Sequence, residues 1–264
     1  MSLTFTILGC GSSGGVPRVG QGWGACDPSN PRNRRRRCSL LVERKGAAGI
    51  TRVLVDMSPD MREQLLEAQV DHLDAIVLTH PHADHVHGID DARALVIHHR
   101  KRIDVHMDAA TSRTVRGAFG YIFETPQGSN YPALLNDRRL TPLEPCTIEG
   151  QGGAIGFTPF AVSHGEIDAL GLRFGTLAYL PDVIAIPDTS LPQLQNLDVW
   201  ILDALRYTPH PSHFSVAEAL EWIRRMRPRR AILTNLHTDL DHTRLSADVP
   251  AGVDVAFDGM RIEL

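Results

Sequence analysis

Short apolar runs rich in Val, Ile and Thr recur along this chain with helical patterns between them, and that alternation points to an α/β architecture. The first half carries LTFTILG (3–9), SLLVER (39–44), TRVLVDM (51–57), DAIVLTH (74–80) and IDVHM (103–107). The second half repeats the habit in AIGFTPFAVSH (154–164), LGLRFGTLAYLPD (170–182), DVWILDA (198–204), RAILTNL (230–236) and VDVAFDG (253–259). Helical patterns lie between them. SPDMREQLLEAQ (58–69) opens with the Ser-Pro pair of a helix start and sets Met61, Leu65 and Leu66 on one face. DDARALVIHHR (90–100) and SVAEALEWIRRM (215–226) carry similar stripes, and Ser215 with Glu218 spells a capping box. No low-complexity linker divides the halves, so residues 1–264 are expected to form one domain with two sheet-containing halves. The Pro/Gly/Asn-rich stretch from Thr125 to Gly153 reads as a long surface loop of the kind that borders a site.

Composition narrows the function classes. A formal charge of −4 gives no global basic signature, so long nucleic acid is not an expected partner. No run approaches the roughly 18 apolar residues of a membrane helix. The opening MSLTFTILGCG lacks the charged start of a signal peptide and reads as a first strand. Four scattered cysteines (Cys10, Cys26, Cys38, Cys146) form no CxxC pair, and a cytoplasmic location is the expectation. The one dense charge block, RNRRRR (32–37), reads as a solvated loop or strand entry, with a phosphate-attracting rim as the functional alternative.

The stretch LTHPHADHVHG (78–88) crowds His80, His82, Asp84 and His85 into six positions directly after a buried-looking strand. Alternate residues of an extended chain point the same way, so His80 and His82 can grip one ion. Asp84 and His85, at the start of the next helix, address a neighbouring position. Imidazole and carboxylate together suit zinc, manganese or iron. Two ions need further ligands, and three later runs end in candidates: His164 in FAVSH, Asp182 in LAYLPD and His237 in ILTNLH. Strand ends are where rigid α/β scaffolds place functional groups.

THPHADH matches the HxHxDH signature of the metallo-β-lactamase-fold hydrolases, and the later order of His, Asp and His matches too. GCGSSGGVPR, VDMSPDMREQLL, SHFS and the ending VAFDGMRIEL are similar to the PhnP-type phosphoribosyl cyclic phosphodiesterases, in order over essentially the whole chain. That resemblance implies an αββα sandwich of two mixed sheets with outer helices. It implies two divalent ions (zinc, manganese or iron), one on His80, His82 and His164 and the other on Asp84, His85 and His237, with Asp182 bridging. Such ions, roughly 3.5–4 Å apart, would hold a bridging hydroxide nucleophile. His213 matches the family's non-ligand active-site histidine, able to bind a phosphate oxygen or protonate the leaving alkoxide. Asp56 resembles an acid that supports the ligand loop by hydrogen bonding. Ser12 and Ser13, in the glycine-rich GCGSSGG loop, are candidate phosphate contacts. A homodimer acting on a small nucleotide or ribose phosphate is the implied assembly and substrate class.

Two departures matter. Some relatives hold a third, structural zinc with a cysteine cluster after GVP and a distant histidine. Here RVGQGWGAC leaves only Cys26, Thr238 takes the distant place, and no third zinc is expected. Relatives also often show His directly after the Thr of ILT, where this chain has Asn235. His237 is two residues on, and a two-residue shift in a strand keeps facing, so His237 is the expected ligand. The rival functions are RNA processing of the tRNase Z kind, lactonase or thioesterase chemistry on the same metals, and metal and nucleotide binding without turnover. The first usually needs a tRNA-gripping arm, and no basic insertion of that length is present.

Overall fold

The structure, a computed structural model, describes residues 2–264. Strands β1 (Leu3–Gly9), β2 (Ser39–Gly46) and β3 (Gly49–Val55) form an antiparallel meander. Helix α1 (Met61–Glu67) then leads to β4 (Ala75–Val77), which lies parallel to β3. The short α2 (Ala83–Val86) and α3 (Ala92–His99) precede β5 (Ile103–Met107), and α4 (Ala109–Phe123) precedes β6 (Leu135–Arg139). Both of these strands extend the parallel half of the sheet.

The second sheet starts with β7 (Cys146–Ile148), β8 (Ile155–His164), β9 (Ile167–Phe174) and β10 (Leu177–Leu180), all antiparallel neighbours. It continues in parallel through β11 (Val199–Asp203), α5 (Val216–Met226), β12 (Arg230–Thr234), α6 (His242–Asp248) and β13 (Val253–Val255). The chain then returns to the first sheet, where β14 (Met260–Glu263) pairs with β1. Among the described residues the result is two seven-stranded mixed sheets, ordered β14-β1-β2-β3-β4-β5-β6 and β13-β12-β11-β10-β9-β8-β7.

The period-two alternation of strand side chains creates three apolar layers. Val53 and Val55 of β3 face the gap between the sheets, together with Phe5, Ile7, Phe174 and Ile201, while Leu54 faces the helices α1, α3 and α4. In β11, Val199 and Ile201 enter the central layer and Trp200 and Leu202 pack outward with Phe214, Ala219 and Leu245. Strands buried on both faces explain the continuous apolar runs of the sequence. Trp200 is among the largest fully buried side chains, and Trp200→Ala would cost about 3–5 kcal/mol. The αββα layering expected from the resemblance is the observed architecture.

Three expectations need correction. The Thr125–Gly153 segment is not structureless: it supplies β6 and β7, one edge strand for each sheet. Helix α1 begins at Met61, because the Ser58 hydroxyl receives the Asp60 N–H at 3.1 Å and donates to Gln64 at 2.8 Å, forming a turn before the helix. Met61 and Leu65 are buried one turn apart, but Leu66 lies on the exposed side. His242, at the start of α6, is buried against the Phe257 ring.

Candidate metal centre

The two sheets meet their functional residues at one end. After β4, the chain bends at Thr79 and passes through His80 before His82 caps α2, and the Leu170 N–H of β9 donates to the Thr79 carbonyl at 2.9 Å, tying the loop to the opposite sheet. His80 Nε2 then lies 3.0 Å from His82 Nδ1, and His164 Nε2, at the end of β8, lies 3.1 Å from the same atom. The second nitrogen of two rings is already committed. His80 Nδ1 is 3.0 Å from the Thr79 hydroxyl, and His164 Nδ1 donates to the Ser212 carbonyl at 2.7 Å. Gly165, at φ 64, makes the turn that allows this, since a Cβ there would meet the Ser212 side chain at 2.9 Å. Burial first, then the neighbouring His85, holds His80 well below its ordinary imidazole value, so its ring is a neutral ligand at neutral pH.

Asp182, just past β10, sits between this trio and His85. His85 Nε2 is 3.1 Å from Asp182 Oδ2 and 3.4 Å from Asp84 Oδ2, while His85 Nδ1 is 2.8 Å from Asp56 Oδ2. Asp56 occupies the left-handed region at φ 65 and is fully buried. It also accepts the Thr79 N–H at 2.8 Å and the Thr79 hydroxyl at 2.9 Å, so one carboxylate orients both the loop and a ligand. Burial would lift the Asp182 carboxyl, but His85, then His80 and His213, hold it well below the usual range. The same carboxylates outweigh burial at His85 and raise its imidazole.

These residues suit a metal. Asp182 Oδ2 is buried yet makes no well-formed hydrogen bond, and three imidazoles converge, with His82 Nδ1 lying 3.0 and 3.1 Å from the nitrogens of the other two. Ligand-sized groupings arise from His80, His82 and His164, from His80, His85 and Asp182, and from His164, Asp182 and His213.

His237 is not brought into these groupings. Strand β12 ends at Thr234 and Asn235 turns into the left-handed region at φ 62, so the strand alternation that would have aimed His237 inward stops there. Asn235 is the residue that faces the centre, its amide nitrogen 3.4 Å from Asp182 and 3.1 Å from Asp203. The His237 ring instead accepts the Arg18 guanidinium and lies 3.2 Å from Asp239.

His213 reaches the centre from the loop that enters α5 through the expected Ser215–Glu218 capping box. Its Nδ1 is 2.9 Å from Asp203 Oδ2 and 3.5 Å from Asp182 Oδ1. Burial alone would lower its imidazole, but Asp203 first, then Asp182 and Asp84, raise it to about 9. Burial lifts Asp203 to about 7 despite His213, and the Val183 N–H and Asn235 amide support its oxygens at 3.1 Å each. Asp203 is not among the sequence candidates, although DVWILDA ends an apolar run in an acid just as TRVLVDM does at Asp56. Ser13 is exposed beside Asp84, whereas the Ser12 hydroxyl is buried without a partner. Where a third zinc would sit, Cys26 Sγ contacts the Thr238 carbonyl at 3.5 Å and the buried Arg35 guanidinium at 3.8 Å, a donor set unsuited to zinc.

A model of the Beta-lactamase superfamily domain matches residues 51–235, which carry most of this centre. The chain belongs to the metallo-β-lactamase superfamily and is a metal-dependent hydrolase. A solved structure of a diphosphatase from the PhnP family is 36% identical, covers 100% of this chain and 98% of its own, and superimposes with a TM-score of 0.89. An octanoyltransferase of Porphyromonas gingivalis is 30% identical over 96% of this chain and 50% of its own length. A ribonuclease Z of Bradyrhizobium is 32% identical over 63% of this chain and 54% of its own. The chain thus spans about half the length of these two curated relatives. Among the described residues no helix is long and apolar enough to cross a membrane.

Proposed function

We propose that this hydrolase is a dinuclear phosphodiesterase acting on a small nucleotide-like or ribose-phosphate substrate, cyclic phosphates included. The observation that carries the reading is buried Asp182, whose Oδ1 lies 3.9 Å from His164 Nε2 of the His80–His82–His164 trio and whose Oδ2 lies 3.1 Å from His85 Nε2. In this reading the trio and Asp182 hold one divalent ion, and Asp84, His85 and Asp182 hold the other, with Asn235 beside it. Such ions, zinc, manganese or iron, supply Lewis acidity towards phosphoryl oxygens and acidify the attacking water.

The chain's own residues do the rest. Asp56 fixes His85, and the Thr79 hydroxyl and Ser212 carbonyl fix the His80 and His164 rings, so the ligands need no reorganisation. His213, with Nδ1 spent on Asp203, keeps Nε2 for a substrate oxygen and acts as the proton donor to a leaving alkoxide. In this reading Ser13, exposed beside Asp84, contacts a phosphoryl group. The similarity to a PhnP-family diphosphatase supports a phosphorylated substrate. Four free cysteines suit a reducing cytoplasm, and the homodimer remains part of this reading, to be checked by sedimentation.

The test is hydrolysis of bis(p-nitrophenyl) phosphate and ribose cyclic phosphates against a phosphomonoester, a lactone and a thioester, with manganese present. Diester turnover, with nucleoside monophosphates inhibiting as product-like ligands, is expected. Efficient lactone or thioester hydrolysis with diesters untouched would overturn the substrate class.

A further inference from the structure

We infer that His210 is a further imidazole of the site, a neutral donor whose Nε2–H binds the hydroxyl next to the leaving oxygen, so that the preferred leaving group is a vicinal diol, as in ribose, and not a lone alcohol. This rests on the phosphoesterase reading and narrows its leaving group. The His210 ring lies 5.1 Å from the His213 ring, centroid to centroid, and His213 lies 4.6 Å from His164. A row of rings therefore leads from the metal trio through His213 to His210.

The loop around this half-buried ring is built to hold it. Pro209 and Pro211 flank His210, and the proline that follows restricts its backbone to extended conformations. The Arg206 guanidinium clasps the loop, Nε donating to the Thr208 carbonyl at 3.1 Å and a terminal nitrogen to the Pro209 carbonyl at 2.7 Å. His210 Nδ1 then accepts the Ser212 N–H at 3.3 Å. Ser212 also receives His164 Nδ1 on its carbonyl at 2.7 Å, so one residue orients a ring of the metal trio and His210 together. A backbone N–H can only donate, so His210 Nδ1 carries no proton and the proton of the ring is on Nε2. Burial first, then His213 and Arg206, holds this imidazole below its ordinary value, in keeping with a neutral ring. Its Nε2 has no hydrogen-bond partner among the described residues and stays accessible.

His213 is tethered in the same way, with Nδ1 on Asp203, so both rings keep Nε2 for a substrate. Two donors side by side match two oxygens on adjacent carbons. In the reaction, water adds its oxygen to phosphorus and gives one proton to solvent, and the P–O bond to the leaving oxygen breaks. That oxygen keeps the electron pair and takes the His213 proton, which solvent replaces. The neighbouring hydroxyl accepts the His210 Nε2–H, which frees its own proton to donate to the leaving oxygen as charge develops there. A lone alcohol gives His210 nothing to bind. A site built to bind a hydroxyl discriminates against the analogue that lacks it, so His210 acts on substrate choice.

The test compares adenosine 3′,5′-cyclic phosphate with its 2′-deoxy analogue on metal-loaded protein. Opening at the 3′ oxygen gives the 5′-monophosphate and makes the 2′ hydroxyl the neighbour that His210 binds. Wild type should prefer the ribose substrate in kcat/KM by roughly 5- to 30-fold. His210→Ala should remove most of that preference, with a much smaller loss on the 2′-deoxy substrate, and His210→Gln, whose amide nitrogen can stand in for Nε2, should recover part. The ratio of the two substrates, taken on one preparation, does not move with metal content, so a merely structural loss would lower both rates alike. Equal losses, or opening at the 5′ oxygen, which has no vicinal hydroxyl, would overturn the inference. Calorimetry of adenosine 3′-monophosphate against 2′-deoxyadenosine 3′-monophosphate tests the contact without turnover: wild type should bind the ribose form more tightly, and His210→Ala should abolish the difference. No ribose preference in wild-type binding, or an undiminished one in His210→Ala, would overturn the inference even if neither ester is hydrolysed. Failed hydrolysis of every phosphodiester, with the binding preference present in wild type and lost in the variant, would overturn only the phosphoesterase reading.

Discussion

Asp203 accepts the Nδ1 proton of His213 at 2.9 Å, and with Asp182 and Asp84 it raises that imidazole to about 9. His213 Nδ1 is therefore committed to Asp203, with its other nitrogen available to a substrate. His213→Ala should lower the rate for a diester with a poor alkoxide leaving group by roughly 10²–10⁴, without removing metal. The loss should shrink for p-nitrophenyl esters and for diphosphates, whose leaving groups need no proton. Elemental analysis and kinetics on matched substrates check this. Equal losses throughout would leave His213 a binding residue.

The metal stoichiometry should reach two per chain in protein purified without chelator, and Asp182→Ala should lose both ions or nearly all activity. His237→Ala should keep its metal, because its ring holds Arg18 and not the centre. Asn235→His should retain the second ion more tightly against a chelator, since the left-handed backbone at φ 62 tolerates histidine and the site faces Asp182. Loss of one equivalent in His237→Ala, with Asn235 variants unaltered, would place His237 on the metal.

The parts of the fold legible in the sequence are those in which one pattern decides the outcome. Val53–Val55 and Val199–Leu202 are buried on both faces, so their apolar runs could only be interior strands. β6 and β7 carry no such pattern, because LNDRR is largely polar and CTI is three residues long, as edge strands can be. The His80–His85 loop is legible because local spacing builds it. The pairing of Arg18 with His237 is not, since their contact spans 219 positions and depends on the turn at Asn235. A two-residue shift preserves facing only while the strand lasts.

Asp56 is the support whose removal should be felt most widely. Asp56→Ala leaves His85 Nδ1 and the Thr79 N–H without their buried acceptor. Metal affinity should fall about 10- to 100-fold, with a stability loss of about 3 kcal/mol. Chelator competition and urea unfolding measure the two effects separately. Unchanged metal affinity would limit Asp56 to holding the backbone.

Away from the centre, Asp258 makes stability depend on pH. It accepts the Cys10 N–H at 3.1 Å and the Arg36 N–H and Nε at 2.8 and 3.0 Å, yet burial raises it to about 6 despite the Arg36 charge. A carboxyl whose folded value lies above its unfolded value contributes stability that is full below about pH 4 and is lost as pH rises through about 6. The shift corresponds to roughly 3 kcal/mol. Asp258→Asn removes the titration but also misplaces a donor against Arg36 or Cys10, so the variant should be less stable at every pH. Its deficit relative to wild type should be largest near about pH 4 and should narrow towards about pH 7.5, read as urea midpoints at matched metal content. A deficit that widens with pH would mean that the Arg36 pair, and not burial, sets the preferred charge of Asp258.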